Sequence, residues 1–298
     1  MPETSVPHDP QPAAPPVTLP IGGGVGLVTR ARAVGRLARD AALAPVYRAY
    51  AAHLRSQILA HPVPQHVALI MDGNRRWARE LGLHEVRAGH SHGAQKAVEL
   101  LDWCASVGIR EVTLWALSLE NLERSAEEVE AITEIARHTL DALAERDRVK
   151  RMEMSLQVIG RRDLLPERLR EAAERGEAET RGRPGLRVTL ALGYSGRDEL
   201  VEAARSAVRA LVADGVAPGD LADALTADRL ADQLYTRGSS DPDLIIRTSG
   251  EVRLSGFLPW QSAYSEFYFC EAYWPAFREI DLLRAIRTYQ QRARRFGR

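Results

Sequence analysis

Cysteine is scarce in this chain: its 298 residues include two, Cys104 and Cys270. They lie far apart in apolar segments, and the sequence shows no metal-binding spacing around them. A disulfide-rich scaffold and a cysteine-based metal centre are therefore excluded. Isolated thiols of this kind are typical of the reducing cytoplasm, and we expect a cytoplasmic protein.

A net charge and a long apolar run are also missing. The 40 Lys and Arg residues balance the 40 Asp and Glu residues, which gives no electrostatic reason to expect a nucleic-acid partner. No segment approaches the ~20 consecutive apolar residues that a membrane-spanning helix needs. Residues 1–20 lack the basic and apolar regions of a signal peptide. Apolar residues nevertheless make up 45% of the chain, enough for a substantial core.

The N-terminal part of the chain differs in composition from the rest. Residues 1–24 contain seven prolines and a run of three glycines, so we predict a disordered tail over residues 1–28 and one folded domain over residues 29–298. An arginine-rich helical pattern then covers residues 30–59. Its apolar positions are Leu37, Ala41, Val46, Tyr50 and Leu54. This helix either lies on a membrane surface or packs on the domain or on a second copy.

Short apolar runs alternate with helical patterns along the remainder of the chain. Strands are predicted at residues 67–71, 112–117, 154–159, 187–192, 243–247 and 266–270. Helices are predicted at residues 77–81, 93–106, 125–146, 166–180, 197–214, 226–235 and 279–294. This alternation predicts an α/β fold with a single open, mostly parallel β-sheet flanked by helices.

The first predicted strand runs directly into Asp72, Gly73, Asn74, Arg75 and Arg76. Open α/β sheets bind ligands at the carboxyl ends of their strands, and a helix N-terminus there favours phosphate. Asp72 is the one acid among these phosphate-seeking groups, which indicates a Mg²⁺ ligand that bridges to a diphosphate. The alternative is a simple turn in which the aspartate caps the following helix.

Two further strand ends carry arginine. Arg124 follows the second strand, while Arg247 and Arg253 enclose small hydroxyl residues and a glycine after the fifth. Guanidinium groups match the oxygens of phosphate, so each of these segments is a candidate anion site. A second carboxylate, Glu266, opens the last strand. If these groups converge, the sequence predicts a site for two diphosphates and one divalent cation, as the coupling of two diphosphate esters requires.

Four separated segments resemble the signature blocks of the cis-prenyltransferases, the family of undecaprenyl diphosphate synthases and Z-farnesyl diphosphate synthases. The segments are residues 66–77 (HVALIMDGNRRW), 118–124 (SLENLER), 243–250 (DLIIRTSG) and 258–269 (LPWQSAYSEFYF). The similarity covers residues 45–298 in order. It implies a parallel sheet with helices around an apolar tunnel, and it makes residues 29–298 the catalytic domain.

The resemblance also implies a reaction. Isopentenyl diphosphate would condense with an allylic diphosphate, geranyl or farnesyl diphosphate, to give a Z-polyprenyl diphosphate. Residues 30–64 resemble the leader of short-chain members, which implies a short product such as Z,E-farnesyl diphosphate. Residues 295–297 match a C-terminal Arg-x-Gly that would reach the partner subunit's site, and this implies a homodimer. The apolar product implies peripheral contact with a membrane.

Roles for individual residues follow from the same resemblance. Asp72 and Glu266 would hold Mg²⁺, and Asp72 and Asn121 would act in catalysis. The allylic diphosphate would be held by Gly73, Asn74, Arg76 and His90, and isopentenyl diphosphate by Arg247, Arg253 and Ser255. The complete set of implied substrate-binding residues is Gly73, Asn74, Arg76, Trp77, Arg87, His90, Ser118, Leu119, Glu120, Leu122, Arg124, Arg247, Arg253, Leu254 and Ser255.

Some positions depart from the family pattern. Arg87 precedes His90 by three residues instead of four, and Leu119 and Leu122 replace polar and aromatic residues. Asn121 is often given the part of proton acceptor in this family. An amide is a poor base, so we expect Asn121 to orient a water or the substrate while a diphosphate oxygen takes the proton.

Product length depends on the depth of the expected tunnel, because each buried methylene contributes about 0.8 kcal/mol. The candidate length-setting residues are Ala116 and the helix positions Ala94, Ala97, Val98 and Leu101. The small Ala116 favours a deep tunnel, whereas the leader favours a short product. The remaining alternative is a non-catalytic partner subunit of a prenyltransferase complex. The presence of Asp72 and the other diphosphate-site residues favours an enzyme.

Overall fold

The computed structural model of the chain describes residues 45–47, 49–80 and 86–292, and it describes no side chain at residues 86–92 and 146. The predicted tail over residues 1–28 and the first part of the predicted leader helix lie outside the described residues, as do residues 295–297. Within the described part, residues 49–59 form a helix, α1. Leu54 and Ile58 bury its inner side, whereas Val46 and Tyr50 are exposed, so the predicted apolar face is only partly used.

Six strands form one sheet. They are β1 (His66–Ile70), β2 (Glu111–Trp115), β3 (Ser155–Ile159), β4 (Arg187–Ala191), β5 (Leu244–Arg247) and β6 (Glu266–Phe269). Their order across the sheet is β3-β4-β2-β1-β5-β6, and every described pair is parallel. The prediction of a single open, mostly parallel sheet is confirmed.

The remaining helices connect these strands. They are α2 (Asn74–Glu80), α3 (Val86–Ser106), α4 (Ala126–Leu143), α5 (Arg146–Met152), α6 (Glu167–Thr180), α7 (Gly196–Ala213), α8 (Leu221–Ala224), α9 (Ala227–Ala231) and α10 (Glu279–Gln291). The single helix predicted over residues 125–146 is wrong. It ends at Leu143, and the extended backbone of Glu145 starts the separate helix α5. The N-terminal limit of α4 is as predicted, because the Ser125 side chain accepts a hydrogen bond from the Glu128 N–H.

Apolar residues cover both faces of the central strands. All five residues of β1 and all four of β5 are buried, as expected for strands inside a parallel sheet. Alternate residues point to opposite faces. Leu69 and Leu114 join the large core, which also contains residues of α1, α3, α4, α6 and α10. Ile70 belongs to a smaller core on the other face, where Trp115 stacks on Phe257 at 5.1 Å between ring centroids.

The register places the carboxyl ends of neighbouring strands side by side. Ile70 pairs with Trp115 on one side and with Arg247 on the other. The segments that follow β1, β2 and β5 therefore leave the sheet at one edge, which we call the carboxyl edge. The three segments predicted to bind phosphate, which follow β1, β2 and β5, all start at this edge.

Candidate active site

A cavity of about 880 Å³ opens at the carboxyl edge of the sheet. Its polar lining is Asp72, Gly73, Asn74, Arg75, Arg76, Arg79, Ser118, Asn121, Arg124, Glu127, Glu128, Thr139, Arg247, Arg253 and Ser255. Its other lining residues are Ile70, Met71, Gly93, Ala94, Trp115, Ala116, Leu117, Ala131, Ile132, Ile135, Ala136 and Trp274. Helix α4 follows the segment that leaves β2 at this edge, and Ile132, Ile135 and Thr139 come later along it than the charged residues Glu127 and Glu128. A polar mouth and an apolar interior thus share one cavity.

Asp72 lies between two arginines at this mouth. Its Oδ2 accepts hydrogen bonds from Arg247 at 3.0 Å and from Arg76 at 3.4 Å, and its Oδ1 accepts one from the Gly73 N–H at 2.6 Å. Burial by itself raises the pKa of Asp72, but the hydrogen bond and charge of Arg247, with help from Ser249 and Arg76, lower it overall. The carboxyl group is therefore ionised at neutral pH.

The backbone around Asp72 is held by Thr248, which is fully buried. Its hydroxyl accepts a hydrogen bond from the Asp72 N–H at 2.9 Å and lies 2.7 Å from the Asp72 carbonyl oxygen. Gly73 follows with φ of +102°, and a Cβ there would come within 2.6 Å of the Tyr273 ring. The turn therefore requires glycine at this position.

Arg247 is the most buried cation of the site, with 5% of its side chain exposed. Besides Asp72, it donates to the Ser255 hydroxyl at 2.7 Å and to the Arg253 carbonyl oxygen. Arg76 donates to Ser249 Oγ at 2.8 Å and to Glu251 Oε1 at 3.1 Å. These contacts connect the segment after β1 to the segment after β5.

The segment after β5 has an unusual backbone. Ser249, Ser255 and Leu258 have φ values of +80°, +53° and +46°, and one other described non-glycine residue has a positive φ. Left-handed backbone costs free energy in residues with a side chain and clusters at functional sites. Here it folds the segment so that Ser249 meets Arg76 and Ser255 meets Arg247.

The segment after β2 forms the opposite wall. Its 3₁₀ helix, Leu119–Glu123, begins after Ser118, whose N–H donates to Asn121 Oδ1 at 3.2 Å. Ser118, Asn121 and Arg124 line the cavity. Glu128 lies 3.8 Å from both Arg124 and Arg75 and so joins this wall to α2.

The structure brings together most of the residues that the sequence predicted for the site. Gly73, Asn74, Arg76, Ser118, Asn121, Arg124, Arg247, Arg253 and Ser255 line the cavity with Asp72. The predicted substrate residues outside its lining are Trp77, Leu119, Glu120, Leu122 and Leu254. Leu122 packs on the large core and Leu254 on the small core. The side chains of Arg87 and His90 lie outside the described residues.

Glu266 does not join Asp72. It opens β6 and pairs in register with Leu244, which pairs with Val67. Asp72 follows the far end of β1, five residues beyond Val67, so the two carboxylates are separated by about 15 Å along the strands. Glu266 instead forms an ion pair with Arg292 at 2.5 Å. The expectation that both carboxylates of one chain converge is wrong. Glu266 opens a parallel strand, so it lies where the strands begin, which we call the amino edge, and Asp72 lies at the carboxyl edge.

Two of the five residues predicted to set product length line the cavity, and three do not. Ala116 and Ala94 line the cavity, whereas Ala97, Val98 and Leu101 are buried in the large core away from it. The contribution of α4 was not predicted: Ile132, Ile135, Ala136 and Thr139 recur on one side of this helix and line the cavity. Their helical spacing was a usable signal, but it is also the spacing of an ordinary core helix. Arg79, Glu127 and Glu128 were not predicted either, whereas Arg75 was named in the segment after the first strand without an individual role.

Asp72 is the one predicted metal ligand at the cavity. The described residues contain no group of three His, Cys, Asp or Glu side chains arranged to hold a metal ion. An ionised carboxylate beside arginines suits Mg²⁺, which keeps several waters and binds through one or two carboxylates plus phosphate oxygens. The residues present therefore fit an ion that arrives with a diphosphate, and they do not fit a cage of protein ligands alone.

Comparison with known proteins agrees with this geometry. The family model described as "Putative undecaprenyl diphosphate synthase" matches residues 70–297. An isoprenyl transferase of Thermus thermophilus is 47% identical over 254 residues, 85% of this chain and 96% of that protein. The (2Z,6E)-farnesyl diphosphate synthase of Thermobifida fusca is 49% identical over 253 residues, 85% and 97% of the two chains. The crystal structure of lavandulyl diphosphate synthase from Lavandula x intermedia with dimethylallyl diphosphate superposes with a TM-score of 0.71 at 34% identity, over 79% and 99% of the chains.

Proposed function

Because the chain belongs to the undecaprenyl diphosphate synthase family of cis-prenyltransferases, we propose that it condenses isopentenyl diphosphate with geranyl or farnesyl diphosphate. The product is a Z-prenyl diphosphate of short chain, such as Z,E-farnesyl diphosphate. One observation carries this proposal: the arginine-rich mouth opens directly into a cavity lined by aliphatic side chains. A prenyl diphosphate matches this arrangement, because it joins a charged diphosphate group to an apolar hydrocarbon chain.

The charge at the mouth supports binding of two diphosphates. Six arginines line the cavity, namely Arg75, Arg76, Arg79, Arg124, Arg247 and Arg253, against three carboxylates, Asp72, Glu127 and Glu128. This excess of positive charge favours anionic ligands. Arg76 lies on the α2 side and Arg247 lies on the β5 side, with Asp72 between them. Two diphosphate groups bound at these arginines would bring the reacting carbons together above the apolar interior.

The reaction begins with cleavage of the allylic C–O bond, in which the electron pair leaves with the diphosphate. The double bond of isopentenyl diphosphate then attacks the allylic carbon, and loss of one proton creates the new Z double bond. Arg76 would stabilise the negative charge that develops on the departing diphosphate. Arg247 and Ser255, held together at 2.7 Å, would fix the diphosphate of isopentenyl diphosphate.

Asp72 would hold Mg²⁺. When bound, this ion supplies Lewis-acid stabilisation of the leaving diphosphate. The contribution of Asp72 is an ionised carboxylate, kept so by Arg247 and Arg76. The same two arginines would also contact the diphosphate, so one small group of residues would bind both Mg²⁺ and the diphosphate.

Asn121 would orient the reacting groups. Its Oδ1 already accepts a hydrogen bond from the Ser118 N–H, which leaves its amide N–H groups to donate into the cavity. A donating amide can position a water or a diphosphate oxygen, but it cannot accept the proton. We therefore assign the proton to a diphosphate oxygen.

The walls of the cavity support a short product. Ile132 and Ile135 of α4 line it together with the small side chains of Ala94 and Ala116. Each five-carbon unit gains roughly 3–4 kcal/mol only where apolar space remains. The relative from Thermobifida fusca carries the name of a short-chain enzyme, and we extend that product class to this chain.

We further propose a cytoplasmic homodimer that contacts membranes only through its apolar product. Strand β6 pairs with β5 on one side and is the outermost strand of the described sheet on the other. Tyr264, two residues before β6, is 77% exposed, which suits a contact with a second copy. Among the described residues, no helix is long and apolar enough to cross a membrane.

Turnover with labelled substrate tests the proposal. The purified chain is incubated with Mg²⁺, labelled isopentenyl diphosphate, and geranyl or farnesyl diphosphate, and the products are separated by chromatography. We expect elongation by one or a few five-carbon units with each primer, and no elongation after chelation of the metal. Absence of any elongation would contradict the proposal and favour a non-catalytic partner subunit.

A further inference from the structure

Glu251 bridges two arginines that line the cavity, Arg76 and Arg253, although neither the sequence motifs nor the family resemblance assigned it a role. Its Oε1 accepts a hydrogen bond from Arg76 at 3.1 Å, and its Oε2 forms an ion pair with Arg253. The two arginines are predicted to bind different substrates. One carboxylate therefore spans the two expected diphosphate positions.

The backbone forces Glu251 into this place. Ser249 and Gly250, the two residues before it, have φ values of +80° and +73°. Such a pair of left-handed residues reverses the chain and turns residue 251 back towards α2. The Ser249 hydroxyl holds Arg76 at 2.8 Å in the same turn.

Charges of opposite sign alternate through the site as a result. The order is Arg253, Glu251, Arg76, Asp72 and Arg247, with each carboxylate shared by two arginines. Arg76 and Arg253 each donate to Glu251 through one guanidinium nitrogen, so a diphosphate bound between these two arginines would compete with the Glu251 carboxylate for them.

Arg76 does not depend on Glu251 for its position. It also donates to Ser249 and to Asp72, and its guanidinium lies 5.7 Å from the centroid of the Tyr273 ring. For Arg253, Glu251 is the only side-chain partner within the described part of the chain, and 61% of the Arg253 side chain is exposed. Loss of Glu251 would therefore leave Arg76 in place and Arg253 free to reach a ligand.

We propose that Glu251 acts as an internal competitor, a carboxylate that competes with diphosphate for Arg76 and Arg253. It limits the electrostatic repulsion among the three arginines before substrate binds, and it recaptures them when diphosphate leaves. Glu251 is thus a residue that sets affinity for the diphosphate group. This inference rests on the proposed function, because it assumes that these arginines bind diphosphate.

Binding of inorganic diphosphate measures the competition without turnover. Isothermal titration of the full chain, with and without Mg²⁺, compares the natural protein with Glu251→Gln. We expect the dissociation constant to fall by about twofold to tenfold in the variant, the range that one or two partly exposed ion pairs supply. Glu251→Ala, which has no side-chain acceptor at all, should move the constant in the same direction.

Glu127→Gln is the matched control. Glu127 lines the cavity, is exposed, and forms no ion pair among the described residues, so its substitution removes one negative charge without releasing an arginine. We expect a change of less than about twofold. Thermal unfolding without ligand verifies that each variant is folded, and diphosphate should raise the melting temperature more in Glu251→Gln than in the natural protein.

The inference is overturned if both Glu251 variants bind diphosphate no more tightly than the natural protein, or if Glu127→Gln gains as much. It is also overturned if none of the proteins binds diphosphate. Elongation by the natural protein is measured separately. If elongation occurs but the Glu251 variants do not bind diphosphate more tightly, only the role of Glu251 fails. If elongation does not occur, the proposed function fails.

Discussion

The two edges of the sheet both carry charged residues, but they use them differently. At the carboxyl edge, Asp72 and Arg247 face a cavity that is open to a ligand. At the amino edge, Glu111 pairs with Arg187 at 3.3 Å and Glu266 with Arg292 at 2.5 Å. None of these four amino-edge residues lines the cavity.

The amino edge is closed by matched hydrogen bonds. The Asp243 carboxylate accepts from the N–H groups of Gln65 and His66 at 2.7 and 3.1 Å. The ring of His66 is buried between the Ser240 carbonyl oxygen at 2.6 Å and the Thr113 hydroxyl at 2.8 Å. Ion pairs form at both edges, so charged residues at strand ends indicate a site only where they also line an open cavity. The following predictions test this difference between the edges.

The largest effect is expected at Asp72. Replacement by Ala or Asn removes the one carboxylate offered to Mg²⁺ and leaves Arg247 without its acid partner. We expect kcat to fall more than about 100-fold while the protein remains folded. Steady-state turnover and circular dichroism measure the two quantities. Turnover close to that of the natural enzyme would remove Asp72 from the metal site.

Product length should respond to Ala116. Leucine at this position adds three carbons to the cavity wall, which is comparable with the space of most of one prenyl unit. We expect Ala116→Leu to shorten the main product by about one five-carbon unit, because burial of that unit is worth roughly 3–4 kcal/mol. Chromatography of the labelled products gives the length distribution.

Ala97→Val is the control for this prediction. Ala97 is buried in the large core on α3 and does not line the cavity. Overpacking there should lower the free energy of unfolding by about 1–3 kcal/mol and leave product length unchanged. A shift in product length caused by Ala97→Val, or none caused by Ala116→Leu, would contradict this assignment of the tunnel wall.

Much of this arrangement was predictable from the sequence. Apolar runs located all six strands to within two residues, because strands buried on both faces tolerate few polar residues. The convergence of Asp72, Arg124, Arg247 and Arg253 followed from parallel strands that end at one edge. These predictions need only the direction of each strand, and the sequence provides it.

Other features depend on distances that the sequence does not encode locally. Ala94 and Ala97 belong to the same helical stripe, yet only Ala94 reaches the cavity, since a few residues along a helix decide which neighbour a side chain meets. The break between α4 and α5 has no glycine or proline to mark it. Glu266 is different, because its place at the start of a strand already assigned it to the amino edge.

A moderate effect is expected from His66 at the amino edge. Burial lowers the pKa of His66 below the usual value of about 6.5. The hydrogen bond to Ser240 and the charges of Glu111, Asp243 and Asp241 raise the pKa, but burial outweighs them. The unfolded chain therefore binds a proton at a higher pH than the folded chain does. Stability is complete above pH 6.5 and falls by up to about 1.4 kcal/mol for each pH unit below it, until the folded-state pKa is reached.

Urea unfolding at pH 7 and pH 5 measures this loss. Replacement of His66 by Gln should remove that part of the pH dependence. His138→Gln should retain it, because 60% of the His138 side chain is exposed on α4. Equal pH dependence in the natural protein and in His66→Gln would show that the amino edge does not depend on a neutral histidine.

The smallest effect is expected at Glu266, and it tests the contrast between the edges most directly. The Mg²⁺ concentration that gives half-maximal turnover should change less than twofold in Glu266→Gln, because its carboxylate lies at the amino edge and pairs with Arg292. Arg292→Gln removes the same ion pair from the other side and is the matched control. An increase in Glu266→Gln alone would mean that Glu266 reaches the metal of a second chain. The two edges would then belong to one composite site across the dimer.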